Sequence, residues 1–100
     1  MLDIRLDTRK FELTASGHAG YAPAGQDIVC AGASMLMATL ARALGGVNGY
    51  RYEDDGSRLY IGCVPLLGQV ERVRHVFDVI DSGLGLLCNS YPNHVRYIKA

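Results

Sequence analysis

"LDIRLDTRKFELTAS", residues 2–16, decides the fold class. Leu2, Ile4 and Leu6 alternate with Asp3, Arg5 and Asp7, and Phe11, Leu13 and Ala15 alternate with Glu12, Thr14 and Ser16. Period two in both runs reads as two strands, each with one face on a core. With Thr8-Arg9 as the turn, Leu6 is expected opposite Phe11 and Ile4 opposite Leu13 on the core face. Arg5 then meets Glu12, and Asp7 meets Lys10, on the other face.

Outward from this hairpin the period changes. Residues 27–44, DIVCAGASMLMATLARAL, place Val29, Ala33, Leu36, Met37, Leu40 and Leu44 on one helical face. Asp27 is the expected N-cap and Gly45-Gly46 the stop, with Arg42 in the last turn where the helix dipole favours a cation. Arg42 is the only charge after Asp27 in this run. A helix so poor in charge predicts burial on more than one side, and in a short chain the second cover is expected from another subunit.

Tyr50 to Val64 reads as a second hairpin around Asp55-Gly56, with Tyr52 expected opposite Leu59, Tyr50 opposite Ile61 and Glu53 opposite Arg58. Val70, Val73, Phe77, Ile80, Leu84 and Leu87 then recur at helical spacing, with Glu71, Arg72, Arg74, His75, Asp78 and Asp81 opposite. Pro65 is expected at or before the first turn, and Ser90-Tyr91-Pro92 ends the helix. Gly83 and Gly85 predict close packing or weak turns, since each costs a helix about 1 kcal/mol relative to alanine. His94 to Ile98 forms a last short strand. The order β-β-α-β-β-α-β predicts an α+β fold, a two-layer sandwich with both helices on one face of a mostly antiparallel sheet.

The chain has 100 residues, which suits one domain over residues 1–100. Lys and Arg together equal Asp and Glu, ten each, so no basic excess points to direct nucleic-acid binding. No apolar run is long enough to span a membrane, and MLDIRLD lacks the apolar stretch of a signal peptide, so a cytoplasmic protein is expected. Cys30, Cys63 and Cys88 are odd in number and widely spaced, with no CxxC, which argues against a disulfide framework or a structural zinc site. Cys63 and Cys88 fall on apolar phases and read as buried small hydrophobes.

Cys30 stands apart. With Asp27 as N-cap it occupies the third helical position, near free backbone N–H groups and the positive end of the dipole, where thiolates are stabilised. The dipole is worth about 0.3–1 kcal/mol at such a site. That falls short of the about 1.36 kcal/mol equivalent to one unit of acidity. An activated thiol therefore needs a cationic partner, and His18, at the end of the second strand, is the histidine the chain delivers here. Between them Ala19, Gly20, Tyr21, Ala22, Pro23, Ala24 and Gly25 are long and flexible enough to fold back, or to open for a polypeptide. From these residues alone two readings stand: a packed cysteine with a merely polar histidine, or a nucleophile and its base. Ser34, one turn beyond Cys30, either bonds to the backbone or approaches the sulfur. His75 reads as solvated and His94 as a loop or strand-end residue. His18 and Cys30 lack the further ligands that a metal site needs.

Gly17-His18-Ala19, then Gly25, Asp27, Val29-Cys30-Ala31 and Ser34, resemble the GHA…G-x-D-x-V-C-A-x-x-S pattern of the ribosomal-processing cysteine protease family, Prp. The later SGLGLL and YP-x-x-V segments resemble that family's C-terminal helix and strand, so the likeness covers nearly the whole chain. Gly32-Ala33 departs from it, where Ala and a larger aliphatic are expected. The resemblance implies a cytoplasmic, homodimeric cysteine endopeptidase, needing no metal or cofactor, that removes the N-terminal extension of ribosomal protein L27 and so supports ribosome assembly. It implies Cys30 as nucleophile, His18 as general base, Asp27 and Ser34 as supporting residues, and the glycine-rich loop as the substrate-binding segment. First-turn N–H groups are expected to serve the oxyanion. Two alternatives remain at this level: a non-catalytic ribosome-associated assembly factor, and a phage-related protease acting on capsid or scaffold proteins.

Overall fold

A computed structural model describes residues 1–23 and 25–100; Ala24, expected in the substrate loop, lies outside the described residues. Its elements are β1 (Leu2–Asp7), β2 (Glu12–Gly17), α1 (Ile28–Ala43), β3 (Arg51–Asp54), β4 (Arg58–Gly62), α2 (Val70–Ser90) and β5 (Val95–Lys99). The sheet order is β3-β4-β2-β1-β5, antiparallel except for the parallel pair β1 and β5. This is the expected α+β order and layering.

Alternation does what period two requires. Leu2, Ile4, Leu6, Leu13, Ala15 and Ile61 point into the core, where they meet Val29, Ala33, Met37, Leu40 and Leu44 of the first helical segment. Val73, Phe77, Ile80 and Leu84 of α2 complete it, and the Phe77 ring meets the edge of Phe11 at 5.5 Å between centroids. Each large side chain so buried contributes about 1.5–3 kcal/mol. The helices also pack on each other, and glycine makes that approach close: a Cβ on Gly83 would stand 2.6 Å from Leu36 Cδ2. At Gly32, where larger residues were expected, a Cβ would lie 3.4 Å from Leu87 Cδ1, in ordinary contact.

Both hairpins differ from the expected register. Ile4 pairs with Ala15 and Leu6 with Leu13, two residues further along β2 than a Thr8-Arg9 turn allows. The cause is local. Asp7 Oδ1 accepts the N–H groups of Arg9 (2.9 Å) and Lys10 (2.9 Å), which builds a longer turn, and Phe11 closes it in the left-handed region at φ 57°. In the second hairpin Tyr52 pairs with Ile61 and Asp54 with Leu59, because Asp55 Oδ1 accepts from the N–H of Ser57 (2.9 Å) and Arg58 (2.7 Å) and lengthens that turn too. Each slip is an even number of residues, so the core face is unchanged. Tyr50 lies outside β3, and β3 is exposed along its length as an edge strand.

The end of α1 also differs in detail. Arg42 is exposed in the last turn, and it is Arg72 of α2 that donates to the Ala43 carbonyl at 3.2 Å. Pro65 precedes a short 3-10 turn, Leu67–Gln69, rather than opening α2 directly.

Candidate active site

Asp27 fixes where α1 begins. Its Oδ1 accepts the N–H of Val29 at 3.0 Å and of Cys30 at 2.9 Å, as an N-cap should. Its Oδ2 accepts the N–H of Tyr21 at 3.1 Å and so ties the glycine-rich loop to the helix start. These N–H groups, that of Cys30 first and that of Tyr21 next, hold the Asp27 carboxyl below the usual carboxylate range, against the opposing effect of partial burial. The cap also narrows one expectation. The N–H groups of Val29 and Cys30 are engaged by Asp27 Oδ1, and that of Ala31 by the Asp27 carbonyl at 3.0 Å, so those first-turn donors are not free for an oxyanion.

Cys30 is half-buried in this first turn, and its Sγ accepts the Ala19 N–H at 3.4 Å. Cys63 differs: it is buried just past β4, and burial pushes its thiol pKa up, making it a weaker acid. Cys88 is half-buried and donates to the Val95 carbonyl at 3.5 Å. Only Cys30, of these three, accepts a backbone N–H among the described residues.

His18 is exposed at the end of β2, directly after Gly17, whose backbone is left-handed at φ 84°. A Cβ on Gly17 would overlap the Met1 carbonyl oxygen, so the strand can leave the sheet here only through glycine. His18, Cys30 and Ser34 together line a cleft of about 590 Å³ walled by Gly20, Ala22, Gly25, Asp27 and Ala31. The same three side chains line a second cleft of about 250 Å³ that continues to Asp54, Gly56, Ser57, Arg58 and Leu59 at the β3–β4 turn. His18 and Cys30 thus face common space from two elements, without a hydrogen bond between them in this structure. Ser34 is exposed on the same helix face and bonds neither to the helix backbone nor to Cys30 among the described residues.

The loop is not loose where it leaves His18. Ala19 is buried, and Tyr21 sets its ring edge-on against Tyr91 (5.5 Å between centroids) and His94 (5.3 Å). His94 Nδ1 lies 3.0 Å from the Ala19 carbonyl oxygen. His94 is therefore more than a strand-end residue. The signal for it is topological: Leu2 of β1 stands between Gly17 of β2 and Val95 of β5, so His18 and His94 leave the sheet at the same end. The sequence could show this only if the parallel pairing of β5 were known. His75 is exposed on α2, as expected. Among the described residues no group of three or more His, Cys, Asp or Glu side chains could hold a metal ion.

The family model described as cysteine protease Prp matches residues 1–96. The chain belongs to the Prp family of cysteine proteases. It is 32% identical over 96 residues to the ribosomal processing cysteine protease Prp of Mycoplasma genitalium, covering 92% of this chain and 91% of that one. Among solved structures, S. aureus Prp with a covalently linked product peptide superposes with a TM-score of 0.80 at 21% identity, covering 100% of both chains. A Streptococcus mutans protein superposes with a TM-score of 0.70 at 24% identity, over 98% of this chain and 90% of that one. These two likenesses show that the Prp fold is shared throughout the chain. No described helix is long and apolar enough to cross a membrane.

Proposed function

We propose that this Prp-family chain is a cytoplasmic endopeptidase, a single domain over residues 1–100, that removes the N-terminal extension of ribosomal protein L27. Cys30 is the nucleophile and His18 the general base. The observation that carries the reading is the setting of Cys30: a half-buried thiol in the first turn of α1, receiving the Ala19 N–H and sharing a cleft with His18. An N–H bond to sulfur favours the thiolate, and a cleft extending to both sides of the thiol suits an extended chain.

The chemistry is acyl transfer. His18 takes the Cys30 proton, and the thiolate Sγ bonds to the scissile carbonyl carbon. As the tetrahedral intermediate collapses the C–N bond breaks, and His18 returns the proton to the leaving amine. Water, deprotonated by His18, then attacks the thioester, the C–S bond breaks, and the acid product leaves with the thiol restored. His18 stands exposed between Gly17 and buried Ala19, so substrate closing on the cleft can bring its ring to the sulfur; dyad bonds that are open in a free enzyme commonly tighten in the substrate complex. Asp27 supports both groups, by starting the helix under Cys30 and by tethering Tyr21. Ser34 lines the cleft beside the thiol. The loop from Ala19 to Gly25 covers substrate. The exposed side of α1, with Ile28, Ala31 and Met35 free of charge, supports a homodimer.

Incubation with an L27 precursor peptide tests this directly. Cleavage at the extension is expected from the wild type and not from Cys30→Ala. Cleavage that persists in Cys30→Ala removes the nucleophile assignment, and binding without any cleavage by the wild type favours the assembly-factor reading.

A further inference from the structure

The Ala19 backbone is held at both ends. Its N–H donates to Cys30 Sγ at 3.4 Å, and its carbonyl oxygen stands 3.0 Å from His94 Nδ1. A carbonyl oxygen can only accept, so Nδ1 carries the proton whether the ring is neutral or charged. The His94 ring is itself fixed: it is half-buried, it lies against the Tyr21 ring, and its own carbonyl accepts the Leu2 N–H at 3.0 Å. Ala19 is 2% exposed, packed in the core cluster, and directly follows His18. Its N–H and carbonyl belong to adjacent peptide units, and holding the second restrains rotation of the first.

We infer that His94 is a positioning residue for the peptidase: by holding the Ala19 carbonyl it keeps the Ala19 N–H aimed at Cys30 Sγ and so stabilises the thiolate. The inference rests on Cys30 being the nucleophile. His94 lines neither cleft and has no hydrogen bond to the sulfur, and acts through one residue of backbone. The other titratable groups at Cys30 are His18 and Asp27, from the loop and the helix cap; those against the His94 ring and its backbone are Tyr21 and Tyr91. Neither of the two tyrosines supplies a donor to the Ala19 carbonyl, which leaves that task to His94.

Two substitutions separate positioning from packing. His94→Phe keeps a ring against Tyr21 and loses the donor, whereas His94→Asn supplies an N–H close to the place of Nδ1. The rate of Cys30 alkylation by iodoacetamide is followed against pH in the wild type and both variants. His94→Phe is expected to move the midpoint up by roughly half to one pH unit, the order expected for weakening one N–H bond to an anion. His94→Asn is expected to stay at the wild-type midpoint. In cleavage, kcat/KM for His94→Phe falls at neutral pH and recovers at higher pH, whereas damage to packing lowers it at every pH. A His94→Phe profile that superposes on the wild type, or an Asn variant that behaves like Phe, overturns the role. The alkylation readout needs no substrate, so absence of cleavage by the wild type would overturn the peptidase assignment separately. If neither variant folds, nitrogen-15 spectra of the native protein still decide: neutral His94 must show a protonated Nδ1 and a bare Nε2, and the opposite tautomer overturns the inference.

Discussion

Replacing Tyr21 with alanine tests whether aromatic contacts hold the substrate loop down. Its ring meets Tyr91 at 5.5 Å and His94 at 5.3 Å, both at an interplanar angle of 78°. Edge-on contacts of this kind contribute about 0.5–1.5 kcal/mol each. Tyr21 is 45% exposed, so the lower part of that range applies. The two contacts together then stabilise the closed loop by roughly 1–2 kcal/mol. Since about 1.4 kcal/mol is tenfold in an equilibrium, the open form rises by roughly 5–30-fold in Tyr21→Ala. The probes are the amides of Ala19 and Tyr21, which are protected by Cys30 Sγ and Asp27 Oδ2. Their hydrogen exchange, followed by nuclear magnetic resonance, should accelerate by the same factor, because exchange through fast local opening scales with the open population. Tyr21→Phe keeps both ring contacts and should exchange as the wild type does. Unchanged exchange of both amides in Tyr21→Ala would refute the reasoning and leave the hydrogen bonds and the burial of Ala19 to restrain the loop.

Two further outcomes follow from the helix cap and from the core. The Asp27 carboxyl is held below the usual range by the N–H groups of Cys30 and Tyr21, so its contribution to stability is complete above that range and is lost as pH falls through its lower folded value. Asp27→Asn keeps an acceptor for Val29 and Cys30 but points an amide donor at the Tyr21 N–H; acid unfolding followed by circular dichroism should become shallower. Residual acid sensitivity should remain from Asp7 and Asp55, lowered in the same way by turn N–H groups. Phe77→Ala removes a fully buried ring that meets Phe11 edge-on, and urea unfolding should show a loss of about 3–5 kcal/mol; under about 1 kcal/mol would mean the core closes around the gap.

Periodicity made the elements legible, because a half-buried strand and a half-buried helix each leave one repeat that composition does not hide. It also located the helix start, since Asp27 is a short acceptor placed just before an apolar run. Registers were not legible. Asp7 and Asp55 each build a longer turn from their own side chains, and hydrophobic alternation is blind to a slip of two. At the site, Cys30 and His18 were visible because the chain itself carries them to adjacent element ends. His94 was not, since it lies 75 residues from Ala19 and arrives only through the parallel pairing of β5 with β1. The oxyanion expectation is narrowed for a related reason: an N-cap strong enough to read in the sequence is one that occupies the donors it caps.

The nucleophile assignment is tested most directly by labelling the native protein with a chloromethyl ketone built on the L27 extension peptide and mapping the adduct by mass spectrometry. One adduct per chain is predicted, on Cys30, formed more slowly in His18→Ala. Labelling of Cys63 or Cys88, or equal labelling of all three thiols, would contradict it.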